Sequence, residues 1–398
     1  LTRGRLLIVG PHEQYLSYVA DVLPSLGEEG VQTCTLQDLV AGGDTAVREA
    51  DDVVASLKST AGMVDAIETA VRWYEEPPTE SLLVETEWAD VTLRRRDWAE
   101  AFAAPEAGTP HNEARGVIWQ YLAETVQRRI GHDDLDRDEV QEALQRNESL
   151  ATAVGRAWPM LDATDLVGDL WSVPAFLRMC APWLAPDDVR RLQRERPDAW
   201  TDADLPLLDA ARNRLGDRSA DDRRRRRSAA LRAERRRMDL VVDDLMASTT
   251  YDDGEGLMSM LRQKDLRDVL VDDSAAPDIE PGTLDGPFAH IIVDEAQELT
   301  PAQWRMVLRR NPSGSITIVG DRAQARAGFA ETWSERLRSV GCRDVRVQSL
   351  SINYRTPAEI MEAAEPVIRA AIPDANVPSS NRRPSEPGSP GPSTATYR

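Results

Sequence analysis

The sequence predicts an α/β protein: a parallel, doubly wound sheet interrupted by a large and mainly helical insertion. Three observations carry the α/β reading. Short apolar runs such as Ile291, Ile292 and Val293 lack the polar alternation of half-exposed strands, which suits parallel strands buried on both faces. Apolar residues at helical spacing follow such runs, and strands that alternate with helices imply a parallel, doubly wound sheet. From about Thr45 to Pro287 the pattern instead is mostly helical, which marks an insertion.

The elements follow in order. Leu6 to Val9 form a compact apolar run, Gly10 and Pro11 break it, and Tyr15, Val19, Val22 and Leu23 recur at helical spacing. Within the insertion, "SLLVETEWADVTLRRRD" (81–97) reads as a hairpin. Eight of the ten tryptophans (73, 88, 98, 119, 158, 171, 183 and 200) lie in it, and their spacing among helices points to core packing rather than base stacking. A second strand–helix unit starts at "FAHIIVDEAQEL" (288–299), with Pro301 near a helix start and Trp304, Val307 and Leu308 on its face. Further strands are expected at "SITIVGDRAQ" (315–324) and at Val345 to Leu350, the latter leading into "SINYRTPAEIMEAAEPVI". The resulting boundaries are a first core segment at 1–45, insertion segments at 46–130 and 131–284, a second core segment at 285–378, and a tail at 379–398. The tail is rich in Pro, Gly, Ser and Thr and is expected to be disordered, since it cannot build a packed core.

Composition sets limits. A chain of 398 residues, 41% hydrophobic, can bury a large core and by length holds two or three domains. The net charge of −20 argues against a basic nucleic-acid binder as a whole, although charge must be read locally. Cys34, Cys180 and Cys342 are far apart and odd in number, which fits neither a disulfide framework nor a zinc spacing. A cytoplasmic protein is expected, because no apolar stretch approaches the roughly 18 residues of a membrane span. The start "LTRGRLLIVGP" is too short in apolar residues for a signal peptide, and it lacks an initiating Met.

The chemistry gathers where strands end. Asp294 and Glu295 close an apolar strand, the place where open α/β sheets bind ligands. An aspartate there can hold Mg²⁺ through water, and a neighbouring glutamate can polarise the water that attacks a terminal phosphoryl group. Asp321 and Gln324 follow the next strand, where a neutral amide can register a terminal phosphate. Arg355 in "NYR" offers a fixed cation for charge that develops in the transition state. Taken alone, a strand-end Asp-Glu pair reads equally as a helix N-cap placed on a favourable dipole. Three such groups in order, each at a strand-to-loop junction, favour the chemical reading.

These residues carry a resemblance. "IIVDEAQELTPAQW", "ITIVGDRAQ" and "LSINYRTPAEI" resemble motifs II, III and IV of the UvrD-like superfamily-one helicases, and "LLIVGPHEQYLSYVADVLPSLG" resembles their segment after the phosphate loop. "HNEAR" (111–115), "WTDADLPLLDAA" (200–211) and "DLVVDDLM" (239–246) are similar to the HelD branch, whose members bind bacterial RNA polymerase and recycle it and, in actinobacterial forms, counter rifampicin. The resemblance implies a P-loop NTPase, RecA-like parallel sheet, present here in part, with ATP and Mg²⁺, and a monomeric cytoplasmic ATPase. It also implies that Asp294 ligates water-bound Mg²⁺, Glu295 is the general base, Gln324 senses the γ-phosphate and Arg355 contacts it. The alternative is a DNA helicase that pulls on single strands.

The insertion bears on that choice. Residues 223–237, "RRRRRSAALRAERRR", begin with Arg223, Arg224 and Arg225 and are strongly basic, whereas the text after Met238 turns acidic. The arginine run reads either as a solvated helix face or as a contact with polymerase or nucleic acid. Leu231, Met238, Val241, Val242 and Leu245 share a helical face, and Leu257, Met260, Leu261 and Leu266 allow a returning helix. Asp252, Asp253 and Glu255 then sit at the tip of a helical hairpin, in a turn with Gly254 and Gly256. An acidic tip serves either solubility or, on the HelD resemblance, entry into the polymerase channel towards its catalytic Mg²⁺. A translocase needs a basic groove with stacking aromatics. The charge-divided hairpin favours a protein partner.

One departure from the family is plain: no G-x-x-x-x-G-K-[ST] occurs, so the loop whose amides and lysine cradle phosphates is not in this sequence. The reading is of a fragment, with that loop upstream of Leu1 and a second RecA-like domain beyond "NYR". Phosphoryl transfer is mostly positioning and charge neutralisation, so the purified 398-residue chain is expected to show no ATP turnover above background. Steady-state phosphate release at the level of an intact helicase would sink this expectation.

Overall fold

The computed structural model describes residues 6–22, 31–131, 137–218, 284–326, 328, 329 and 331–382. The expected helical hairpin, with its arginine run and acidic tip, lies outside the described residues. The chain forms two compact units: Leu1–Asp44 with Ser59–Ala61 and Asp285–Arg398, and Thr45–Lys58 with Gly62–Leu284. In chain order the elements are β1 (Leu6–Val9), α1 (Glu13–Val22), β2 (Val31–Cys34), α2 (Asp52–Lys58), α3 (Ala61–Arg72), β3 (Leu82–Val84), β4 (Val91–Leu93), α4 (Arg95–Phe102) and α5 (His111–Ile130). They continue with α6 (Arg137–Arg146), α7 (Glu148–Ala157), α8 (Ala163–Ser172), α9 (Pro174–Cys180), α10 (Pro186–Leu192) and α11 (Leu205–Leu215). After the undescribed stretch come β5 (His290–Val293), α12 (Pro301–Arg309), β6 (Ile316–Ile318), α13 (Trp333–Ser339), β7 (Ile352–Pro357), α14 (Ala358–Ala371) and β8 (Ser379–Arg382).

The first unit is built on a four-stranded parallel sheet of order β2-β1-β5-β6. Leu7, Val9, Ile291 and Val293 are fully or almost fully buried, as the unbroken apolar runs require of central parallel strands. α12 begins as its sequence dictates: Thr300 caps the Gln303 amide, Gln303 returns a bond to the Thr300 amide, and Pro301 takes the first helical position. Its Trp304 and Val307 are fully buried.

Two expectations are corrected. Val345 to Leu350 form no strand; Val347 and Leu350 are 53% and 80% exposed, and the strand starts only at Ile352. That strand, β7, pairs in parallel with β8 and so belongs to a separate two-stranded sheet. A strand exists only where a neighbour completes its ladder, and β8 supplies that neighbour from Ile352, two residues beyond Leu350. Ser379–Arg382, assigned to the tail by composition, are that partner strand. The residues after 382 lie outside the described set.

Among its described residues the second unit is helical apart from the antiparallel hairpin β3–β4, which joins Leu82 to Leu93 and Val84 to Val91. The inward side chains of the hairpin meet α4 to α7 in one core of Val84, Val91, Leu93, Trp98, Ile118, Trp119, Leu122, Val126, Leu144, Val154 and Trp158. Tryptophan packing holds for Trp98, Trp119, Trp158 and Trp171 but not for Trp73 and Trp183, which are 55% and 53% exposed.

A buried ion cluster joins Glu49 and Lys58, near the start of this unit, to Asp204 at the start of α11. Lys58 Nζ lies 2.9 Å from both Glu49 Oε2 and Asp204 Oδ1, Arg194 Nη1 lies 2.9 Å from Asp204 Oδ2, and Lys58 also stands over the Trp171 ring. Burial raises the Glu49 carboxyl, but the Lys58 bond and charge outweigh it and leave the group below its usual range. Removing one member of a buried pair strands the other charges, so Lys58→Ala is expected to destabilise the protein by about 3–5 kcal/mol. Acid should act in the same direction: the contribution from Glu49 is complete above its unfolded value, near 4.3 by ordinary reference, and is lost as pH falls through the lower folded value. Thermal unfolding from pH 7 down to pH 3 checks both, and a Lys58→Ala protein as stable as the parent would refute the role given to the cluster.

Candidate functional site

The strand order itself selects the site. From β1 the chain runs outward to β2 on one side, whereas β5 runs outward to β6 on the other, so the order reverses between β1 and β5. Open α/β sheets bind ligands at such a switch point, beyond the carboxyl ends of the strands. At this point β1 ends in Gly10 and β5 in Asp294, whose amide bonds the Val9 carbonyl at 3.0 Å.

Asp294 Oδ1 accepts the Glu295 amide at 2.9 Å. Burial, together with the neighbouring Asp294 and Glu295 carboxylates, pushes the Tyr15 hydroxyl on α1 up to about 12. The Tyr15 ring reaches this position across Gly10, where an added Cβ would lie 2.8 Å from its Cδ1. Glu295 is an exposed residue with φ 50° and ψ 37°, and it is the only non-glycine of positive φ among the described residues. Such left-handed backbone costs an L-residue roughly 1–2 kcal/mol. Strain of this kind clusters at functional sites, where it fixes a direction for the side chain.

A single glutamine connects the two strand ends. Gln297, 5% exposed, donates from Nε2 to Glu295 Oε2 at 2.6 Å and accepts the Asp321 amide on Oε1 at 3.0 Å. Asp321 in turn accepts the Ala323 amide on Oδ1 at 2.9 Å and Gln324 Nε2 on Oδ2 at 2.8 Å. The close packing requires Gly320, since a Cβ there would fall 2.7 Å from Gln297 Oε1 and 2.8 Å from the Trp333 ring. Glu295, Gln297, Asp321 and Gln324 thus form one continuous hydrogen-bonded chain.

Of the residues singled out from sequence, Asp294, Glu295, Asp321 and Gln324 come together here. Arg355 lies on β7 in the other sheet, and its side chain is outside the described set. Arg223, Arg224, Arg225, Asp252, Asp253 and Glu255 are likewise outside it. Sequence reasoning missed Gln297 and Tyr15. Gln297 stood in the quoted "DEAQ" phrase, and only its spacing two residues after Glu295 hinted at a partner; Tyr15 read as one apolar position of a helix.

Among the described residues no group of three or more His, Cys, Asp or Glu side chains is placed to hold a metal, and no helix is long and apolar enough to cross a membrane. A lone carboxylate nevertheless suits Mg²⁺, which keeps most of its waters and takes one or two carboxylates beside substrate phosphates. The donor set at Asp294 fits that metal and fits the water side of a nucleotide site. It does not fit the phosphate side, for which the sequence has no cradling loop.

Fold and site together define an α/β protein with a carboxylate pair at the switch point of a parallel sheet. Compared with known proteins, the chain matches no family model and no curated protein. The strain at Glu295 has a measurable consequence. Relative to Glu295→Ala, Glu295→Gly is expected to stabilise the protein by about 1 kcal/mol, because glycine adopts φ 50° without penalty. Urea unfolding of the two variants checks this, and equal midpoints would show that the backbone there is unstrained.

Proposed function

We propose that the first unit is the nucleotide-handling part of a UvrD-like superfamily-one ATPase of the HelD type, which would bind RNA polymerase and release it for reuse. The observation that supports this reading is the switch-point geometry: Asp294 and a strained Glu295 end a buried parallel strand and are tied through Gln297 to the loop bearing Gln324. ATP is the substrate in this reading. Mg²⁺, when bound, neutralises charge on the phosphates.

The chain's own residues then have distinct tasks. Asp294 holds the waters of the metal. Gln297 fixes Glu295 Oε2, which leaves Oε1 to take a proton from the attacking water. Gln324, through Asp321 and Gln297, links the position next to a terminal phosphate to the base itself. Arg355 offers charge to the transition state from β7. The partner reading rests on the divided charge of residues 223–255 and on the family resemblance.

The test uses a longer polypeptide in which this chain is joined to a phosphate-cradling loop and a second domain. Glu295→Gln keeps shape and hydrogen bonding but removes the base, so nucleotide should still bind while turnover falls by roughly 10²-fold or more. Asp294→Ala should instead weaken Mg²⁺-dependent nucleotide binding. Normal hydrolysis by both variants would overturn the assignment. Co-purification with core RNA polymerase, set against strand unwinding, tests the partner; unwinding without polymerase binding would replace it with the translocase.

A further inference from the structure

We propose that Arg322 and Asp374 form a positioning pair, which fixes the strand carrying Arg355 against the loop carrying Gln324. The proposal rests on the roles given above to Gln324 and Arg355, which must reach one terminal phosphate although they belong to separate sheets. Arg322 opens the short 3₁₀ turn Arg322–Gln324 after β6. Its Nη1 donates to Asp374 Oδ2 at 2.9 Å, in the connection between α14 and β8. One bond thus runs from the turn that holds Gln324 to the crossover that joins the two strands of the Arg355 sheet. That bond holds the Asp374 carboxyl below its ordinary range.

Both partners are anchored. On the loop side the Arg322 side chain is 13% exposed, its guanidinium faces the Phe329 ring at 5.6 Å, and Arg336 lies over the same ring at 3.6 Å while bonded to Glu331 at 2.6 Å. Phe329 also meets Trp333, whose ring packs on Gly320 beside Gln297 Oε1. The Arg322 guanidinium is therefore placed by the same packing that seats the chain from Gln297 through Asp321 to Gln324. On the other side, Asn376 Nδ2 donates to the Leu350 carbonyl at 2.7 Å and the Ser379 amide to the Ser351 carbonyl at 2.9 Å, so the connection bearing Asp374 is tied to the start of β7. What α14 lacks is an apolar anchor: none of its residues is buried, and Ile360 and Val367 are 58% and 70% exposed. A body not fastened through a core takes its position from polar contacts. Asp374 is 60% exposed, so the pair adds little to stability, and its effect is geometric.

The first experiment needs no turnover. In the 398-residue chain Cys34 and Cys180 are buried, so Cys342→Ser leaves a background in which spin labels go to the exposed positions of Ser17→Cys on α1 and Glu362→Cys on α14. Pulsed electron resonance should give one narrow distance, which Asp374→Ala and Arg322→Ala both broaden. A broad distribution before either change, or an unchanged one after both, would overturn the proposal. The second experiment uses the longer ATPase. Asp374→Ala should lower kcat about 3-fold, the scale of an ion pair with one exposed partner, with KM for ATP unchanged, because Arg355 is assigned to the transition state. Arg355→Ala should lower kcat further, and the double variant should be no slower than Arg355→Ala alone, since the pair acts through that residue. Additive losses, or an unchanged kcat in Asp374→Ala, would equally overturn it. Failure of the ATPase reading looks different: Glu295→Gln would then hydrolyse ATP normally whatever the pair does.

Discussion

The parallel pairing of β1 with β5 is the contact on which the rest of the first unit depends. Leu6 meets His290 and Val9 meets Val293, so the two central strands of the sheet are separated by more than the whole inserted unit. Every site residue is placed by that ladder: Gly10 and Tyr15 follow one strand, Asp294 and Glu295 the other, and β6 is positioned only through β5. Closing so long a loop costs entropy that must be met before the pairing yields any return. An inserted unit that is already compact shortens the effective loop. Within it, the buried Lys58, Glu49, Asp204 and Arg194 cluster joins residues near 50 to residues near 200.

The strain at Glu295 and the buried Gln297 are two parts of one arrangement. A left-handed residue directly after a strand turns the chain sharply, and that turn returns Gln297 beneath the Glu295 carboxylate instead of out along a helix. Gln297 then satisfies both of its polar ends, one on each strand terminus. A buried amide with both ends bonded acts as a spacer of fixed length. Glu295 and the loop that carries Asp321 and Gln324 are therefore held at a fixed separation.

The parts of the fold that were legible in the sequence are those written in single residues or local periodicity. Apolar runs marked β1, β5 and β6, Pro301 marked the start of α12, and the stretch 81–97 read as the hairpin. What failed depended on partners the sequence does not display. Val345 to Leu350 has the composition of a strand and no neighbour, whereas the polar Ser379–Arg382 is a strand because β7 lies beside it. The site divides in the same manner. Asp294 and Glu295 are visible as charge after an apolar run, but Gln297 becomes part of the site only through the bond it accepts from the Asp321 amide on the next strand end.

The second unit sharpens what its family-like phrases can mean. In "HNEAR", His111 is fully buried between Glu75 Oε1 at 3.0 Å and the Pro159 carbonyl at 2.8 Å and stacks on Trp158, while Asn112 exchanges two bonds with Leu161. In "WTDADLPLLDAA", Asp204 is fully buried against Lys58 and Arg194, and Leu207 and Ala211 are core. Side chains so enclosed are not available to a partner. These phrases therefore encode the packing of the helical unit, and resemblance through them speaks to shared architecture.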